Sequence, residues 1–222
     1  MDRAGLVGIS APAIDPGLAE AARRAIGFMP EDEGIALYEA GLTGAARGPL
    51  LEIGSYCGKS AIYLGAAARA AGAKLYSIDH HRGSEEHQPG QEYFDPRLYD
   101  ESAGRVDTWP EFQRTIAGAG LGDVVEGIVG DSAEIAVTWE TPLGLVFVDG
   151  GHSARAAHAD YEGWSRHLVD GGFLLIHDVF EDPAQGGRPP YEIWSRAVAE
   201  GGFVDSGATG SLRVLRRTGD AL

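Results

Sequence analysis

Carboxylates recur at the ends of short apolar runs along this chain. Glu52 lies in Leu50-Leu51-Glu52-Ile53 just before Gly54, Asp79 follows Lys74–Ile78, Asp131 follows Val129-Gly130, Asp149 follows Leu143–Val148, and Asp178 follows Gly172–His177. Three of them have an imidazole close by in sequence: His80 directly follows Asp79, His152 lies three residues after Asp149, and His177 directly precedes Asp178. Carboxylates grouped with histidines can hold a cation or, because imidazole titrates near neutrality, take a proton from a hydroxyl. Between the first two acids stands Gly54-Ser55-Tyr56-Cys57-Gly58-Lys59-Ser60. Glycine at 54 permits a tight turn, and Gly58 opens a helix whose first N–H groups can face an anion.

Alternating strands and helices must position these groups. Apolar runs at 50–53, 74–78, 123–129, 143–148 and 172–177 are interleaved with helical stretches at 59–71, about 107–118 and 153–168. This pattern predicts an α/β fold, a doubly wound Rossmann-like sheet, mostly parallel, with right-handed crossovers and helices on both faces. Residues 190–200 are expected to be helical, and Phe203-Val204 with Leu212-Arg213-Val214-Leu215 to close the sheet as an antiparallel hairpin. Upstream, Asp15-Pro16 starts a helix running to Gly27, and a second helix follows Pro30, with Glu31, Asp32 and Glu33 in its first turn, where acids complement the helix dipole. A single domain over 1–222 is expected, with a helical cap at 1–48 and the core at 49–217. In such sheets the ligand sits beyond the carboxyl ends of the strands, where the acids fall.

Composition removes several classes of partner. The 222 residues hold 18 Lys+Arg against 33 Asp+Glu, a formal charge of −15, and no basic stripe that would neutralise phosphates, so neither nucleic acid nor an anionic membrane is expected. The single cysteine, Cys57, allows no intramolecular disulfide and no cysteine-based zinc cluster, and without a partner base it is expected to be an inert thiol. No apolar stretch is long enough to span a bilayer, and the N-terminal residues lack a basic start followed by an apolar run, so a cytoplasmic location is expected. A homodimer stays open.

Three ligands compete for the glycine turn. A phosphate-cradling P-loop needs four residues between its first glycine and Gly-Lys-Ser, and here there are three. The dinucleotide fingerprint needs a G-x-G-x-x-G that Ser55, Tyr56 and Cys57 do not supply. S-adenosylmethionine fits better. Its carboxylate suits the helix N-terminus, its amino and sulfonium groups suit the neighbouring acids, and its ribose diol suits Asp79 at the end of the second strand. A dinucleotide-dependent oxidoreductase and a cofactor-binding module without chemistry are the alternatives.

Glu52-x-Gly54-x-Tyr56-Cys57-Gly58-x-Ser60 resembles the first motif of the catechol O-methyltransferase family, and the order of later acids resembles class I S-adenosylmethionine-dependent methyltransferases, including small bacterial natural-product and macrolide-sugar O-methyltransferases. The likeness spans residues 30–217. It implies O-methylation of a small-molecule hydroxyl, phenolic or sugar. The cofactor would meet Glu52, Gly54, Ser55, Tyr56, Gly58 and Ser60 at its methionine end, Asp79 at its ribose, Asp131 and Ser132 at its adenine, and Asp149. In catechol-type enzymes two acids and an asparagine hold Mg2+, and a lysine three residues after the first acid is the base. Asp149 and Asp178 fall on those acids and His152 on the lysine, whereas Val179 replaces the asparagine. Either His177 completes a metal set of Asp149, His177 and Asp178 for Mg2+ or Mn2+, less well Ca2+, or the metal is absent and His152, Asp149 and His177 carry the catalysis. Both acids could instead cap the turns that follow them, and His177 could be a core histidine.

Residues 80–106 show no sustained period and are expected to form a lid over the same strand ends. Tyr93, Phe94, Tyr99, Phe180 and Tyr191 are the expected aromatic walls of the acceptor pocket. His80, His81 and His87 within the lid lack the cysteines that would favour zinc. On the 153–168 helix, Ala157, Tyr161, Trp164 and Leu168 form an apolar stripe, which leaves His158 and His167 facing water.

Overall fold

In the computed structural model, which describes residues 12–151 and 153–219, two helices precede the sheet. Helix α1 (Pro16–Arg24) starts where the Asp15 carboxylate accepts the Gly17 and Leu18 N–H groups at 2.9 and 3.1 Å, and it buries Leu18 and Ala22. Helix α2 (Glu31–Ala45) has acids in its first turn as expected and buries Leu37 and Tyr38. Its Gly41 and Gly44 bring its backbone close to Ala67 and Leu145.

The core elements follow as β1 (Leu50–Ile53), α3 (Lys59–Ala71), β2 (Leu75–Asp79), a small antiparallel pair β3 (Tyr99–Asp100) and β4 (Arg105–Val106), α4 (Trp109–Gly118), β5 (Val125–Val129), α5 (Ser132–Thr138), β6 (Leu143–Val148), α6 (Ala154–Trp164), β7 (Leu168–Ile176), α7 (Arg188–Ala199), β8 (Phe203–Thr209) and β9 (Leu212–Arg217). Seven strands form one sheet in the order β5-β2-β1-β6-β7-β9-β8, parallel through β7 and closed by the antiparallel β8–β9 hairpin. The order reverses between β1 and β6, which opens a crevice there. Period-two alternation sorts the core: Leu50, Leu145 and Phe147 face α1–α4, while Leu51, Ile53, Val146 and Val148 face α5–α7. Glu52, between Leu51 and Ile53, therefore shares the Leu50 face and points toward α3.

Several boundaries differ from expectation. Helix α5 has only seven residues, too few to show a period, and starts because the Asp131 carboxylate accepts the Glu134 N–H at 3.0 Å. Helix α6 stops at Trp164, and a 3-10 turn at Ser165–His167 leads into a nine-residue β7. Its apolar stripe is buried as expected, but His167 is half-buried, in contact with Trp164 and 3.1 Å from the Ala136 carbonyl, so it does not simply face water. The 80–106 segment is folded, with 3-10 turns at Glu85–His87 and Pro96–Leu98 and the β3–β4 pair, and Leu98 and Val106 are buried with Cys57. Elements of two and three residues carry no periodicity, which is why the sequence shows none. No helix among the described residues is long and apolar enough to cross a membrane.

Candidate active site

Strand register assembles the site. Ile53 pairs with Ile78 and Val148, and Val148 with Ile176, so Gly54, Asp79, Asp149 and His177 follow in a row along the carboxyl edge. Backbone bonds tie the row together: Gly54 N–H donates to the Ile78 carbonyl at 2.9 Å, Asp149 N–H to Ile53 at 2.9 Å, and His177 N–H to Val148 at 3.1 Å. A cleft of about 1430 Å³ opens over this edge. Gly54, Ser55, Tyr56, Ser60, Asp79, Asp131, Ser132, Asp149, His177 and Asp178 all line it, so most of the residues expected from sequence converge there. His152 lies outside the described residues; its neighbours Gly151 and Ser153 line the cleft.

Among the described residues, non-glycine residues held at positive φ are Tyr56 (45°), His81 (59°) and Asp178 (56°), each just past a strand end. Backbone held in that region costs energy and needs surrounding bonds to persist. Asp79 supplies them for two of the three: its carboxylate accepts the Tyr56 N–H at 2.8 Å and the His81 N–H at 2.7 Å. The His81 ring is buried on Trp109 and Phe112, bonded to Thr108 at 2.8 Å and lowered in pKa by burial. Its place is structural. Ser55, 1% exposed, has a hydroxyl with no hydrogen-bond partner in the protein although it borders the cleft. Buried polar atoms left unpaired are rare in native structures.

Glu52 stands apart from the other expected contacts. Fully buried, it does not reach the cleft; its carboxylate accepts the Ser60 hydroxyl at 2.9 Å and the Ser77 hydroxyl, behind the glycine turn. Burial, with the Asp149 and Asp79 charges adding to it against the two hydroxyls, raises its pKa to about 7. Gly58 likewise caps α3 in a left-handed conformation and does not line the cleft. Near Ser132, Asp160 is buried and accepts the Ser132 hydroxyl at 2.5 Å, while Ser132 accepts the Trp164 indole N–H at 2.9 Å. Burial lifts Asp160 to about 6.

His177 is the centre of an ionic chain that includes an acid the sequence did not single out. Its Nδ1 lies 3.0 Å from Asp149 and 3.5 Å from Asp178, and its Nε2 lies 2.5 Å from Glu33 of α2. Burial alone would lower its pKa, but the Asp149 charge and hydrogen bond, with Glu33 and Asp178, outweigh this and push it up to about 11. With both ring nitrogens on carboxylates, the arrangement favours the protonated ring, which counts against the metal-free alternative in which His177 accepts a proton. As a ligand it still qualifies. Asp149, His177 and Asp178 can offer one donor atom each within 4.8 Å of one another, a donor set that suits a hard or borderline divalent cation, which would take the place of the Nδ1 proton.

The aromatic wall also differs from expectation. Phe28, Tyr56, His87 and Phe180 line the cleft, with Tyr56 stacked on His87 at 4.8 Å and Phe28 edge-on to Tyr93 at 5.2 Å. Phe94 and Tyr99 instead pack on each other over Cys57, and Tyr191 lies against the Arg188 guanidinium at 3.9 Å. Burial raises the Cys57 thiol far above its usual range, which keeps it protonated and unreactive.

A Rossmann-like sheet ending in an antiparallel hairpin, with an acid-lined cleft over its carboxyl edge, is the architecture of class I methyltransferases. The profile of a methyltransferase-domain family matches residues 51–179, and the chain belongs to that family. Solved structures of similar fold include the O-methyltransferase TomG of Streptomyces achromogenes, involved in tomaymycin synthesis and solved with S-adenosylmethionine (18% identity, 92% of this chain and 91% of that one, TM-score 0.62). Others are the S-adenosylhomocysteine-bound methyltransferase PaMTH1 of Podospora anserina (17% identity, 94% and 90%, TM-score 0.65) and a Bacillus cereus O-methyltransferase with S-adenosylhomocysteine (18% identity, 92% and 91%, TM-score 0.62). Nothing among these matches supports an oxidoreductase.

Proposed function

We propose that this methyltransferase transfers the methyl group of S-adenosylmethionine to a hydroxyl of a small molecule with a flat or apolar body. The observation that carries it is the row of Gly54, Asp79, Asp149 and His177 along one cleft, which Ser55 and Ser60 also line. TomG and the Bacillus cereus enzyme, both O-methyltransferases, support the choice of oxygen.

S-adenosylmethionine supplies a sulfonium methyl that leaves with its S–C bond broken as the acceptor oxygen forms the new C–O bond. The protein's part is placement and proton removal. Ser55, Ser60 and the N-terminus of α3 face the methionine end, Asp79 the ribose hydroxyls, and Asp131 and Ser132 the adenine. Phe28, Tyr56 and Phe180 flank the acceptor, and residues 80–106, which contribute His80, Gly83, Ser84 and His87 to the cleft, act as its lid. His152 takes the hydroxyl proton. A divalent cation held by Asp149, His177 and Asp178 would, when bound, polarise the acceptor oxygen and ease that proton's departure.

Calorimetry with S-adenosylhomocysteine, paired with a methyl-transfer assay on a panel of phenols and sugars, tests this; absence of binding at high micromolar concentration overturns it. Asp79→Ala also releases the Tyr56 and His81 N–H groups, so it is expected to weaken S-adenosylhomocysteine binding by about 1–3 kcal/mol, roughly 5- to 150-fold. Unchanged affinity would remove Asp79 from the site. His152→Ala is expected to bind the product as wild type does and to turn over about a hundredfold more slowly or worse. Turnover at the wild-type rate would show that the base lies elsewhere.

A further inference from the structure

Glu33 sits in the first turn of α2 and is 3% exposed, yet it borders the cleft with His177, Gly210 and Ser211. Its two oxygens do different things. Oε1 accepts the Ser211 N–H at 2.6 Å and the Ser211 hydroxyl at 3.2 Å, and Oε2 faces His177 Nε2 at 2.5 Å. The β8–β9 turn closes tightly around it, since a Cβ on Gly210 would come within 2.9 Å of the Glu33 carboxyl carbon. The carboxylate is thus fixed from below by the turn and holds one nitrogen of the imidazole. Burial would raise its pKa, but the His177 and Ser211 hydrogen bonds together hold it below the usual carboxylate range.

With Nε2 engaged, His177 has only Nδ1 to turn toward the cleft, and Nδ1 is the nitrogen that meets Asp149 and Asp178. We propose that Glu33 is a positioning residue: it holds His177 Nε2 so that Nδ1 converges with the Asp149 and Asp178 carboxylates on a divalent cation. This rests on the cation site of the proposed function and adds the residue that orients it. A carboxylate behind a ligating imidazole fixes the ring's tautomer and orientation, and losing it typically weakens metal affinity 10- to 100-fold. The assignment also gives α2 a part in the site, through a residue whose sequence context suggests only helix-dipole compensation. An ion pair that merely pins α2 to the sheet would show the same contacts but would not change what Nδ1 binds.

Mn2+ titration of the whole protein, followed by the paramagnetic resonance of free Mn2+, separates these roles. Glu33→Gln, which keeps the shape but puts an amide N–H2 against one of two donors, is expected to bind Mn2+ about 10- to 100-fold more weakly while S-adenosylhomocysteine affinity stays at the wild-type value. In a His177→Asn background the same Glu33→Gln change is expected to add no further loss, because its effect runs through the imidazole. Glu33→Asp keeps the charge but is one methylene short of His177; it carries the test if the glutamine variant does not fold, with a loss of about tenfold expected. Wild-type Mn2+ affinity in these variants, or an equal loss with and without His177, overturns the assignment. If the wild-type protein takes up no Mn2+, the cation site and Glu33's role toward it both fall, while S-adenosylhomocysteine binding still reports separately on the methyltransferase reading.

Discussion

Gly54→Ala is expected to lose folded protein or, where it folds, to lose S-adenosylhomocysteine binding, at a cost of about 4 kcal/mol or more. Two effects add at this position. Gly54 adopts φ +90°, a conformation that L side chains rarely adopt, and a Cβ there would overlap the Asp149 carbonyl and come within 2.8 Å of Gly150 Cα. The second effect is the larger, because the obstacle is backbone. Gly54 and Asp149 directly follow the two strands that flank the crevice, and the turn after β1 can meet the turn after β6 only if nothing projects between them. Moving either backbone to make room breaks the row that includes Asp79 and His177. Gly90→Ala is the control: Gly90 has φ +87° but nothing lies within 4 Å of its would-be Cβ, so only conformational strain of about 1–2 kcal/mol applies. Thermal unfolding and calorimetry on both variants decide the matter. A Gly54→Ala protein as stable as the Gly90→Ala one, with wild-type affinity, would mean that the two turns do not depend on this close approach.

The part of the site that the sequence makes legible is the part that follows from strand ends. Asp79, Asp149 and Asp178 each come directly after a run of apolar residues, or one residue beyond it, and a parallel sheet brings such positions to one edge whatever the strand order. What escaped depends on direction and on distance along the chain. Glu52 belongs to the same sequence motif as the ligand-facing residues, but β1 is buried on both faces, and alternation turns its side chain toward Ser60 and Ser77 and away from the cleft. Glu33 has its partners 144 and 178 residues away, so its place in an acidic helix start gives no hint of them. The lid shows the limit of periodicity: its order comes from Leu98, Val106 and aromatic contacts, not from any repeating pattern. Its expected wall residues Tyr93, Phe94 and Tyr99 do not border the cleft: Tyr93 packs on Phe28 and Phe94 on Tyr99, because which ring faces the cleft is a tertiary matter.

Glu52→Gln is expected to stabilise the protein relative to wild type by an amount that grows with pH, from near zero below pH 4.5 to about 3 kcal/mol above pH 7. The sign follows from the raised carboxyl. Below 4.5 the group is protonated whether or not the chain is folded, and it costs nothing. Between 4.5 and about 7 the unfolded chain releases the proton while the folded chain keeps it, so the folded state loses ground as pH rises. Above that window the buried carboxylate is ionised in both states, and the full difference remains. Glutamine has the same shape, can still accept one serine hydroxyl and donate to the other, and has no charge to bury. Urea unfolding of both proteins between pH 4 and 8 isolates this group together with its coupling to Asp79 and Asp149, because the remaining titrations are shared and cancel in the difference. A difference that stays flat across the window would mean that Glu52 ionises freely in the fold. A growing difference would show that the acid beneath the glycine turn is a stability cost retained at the site, placed where its charge adds to those of Asp79 and Asp149 beside a cleft proposed to take a sulfonium.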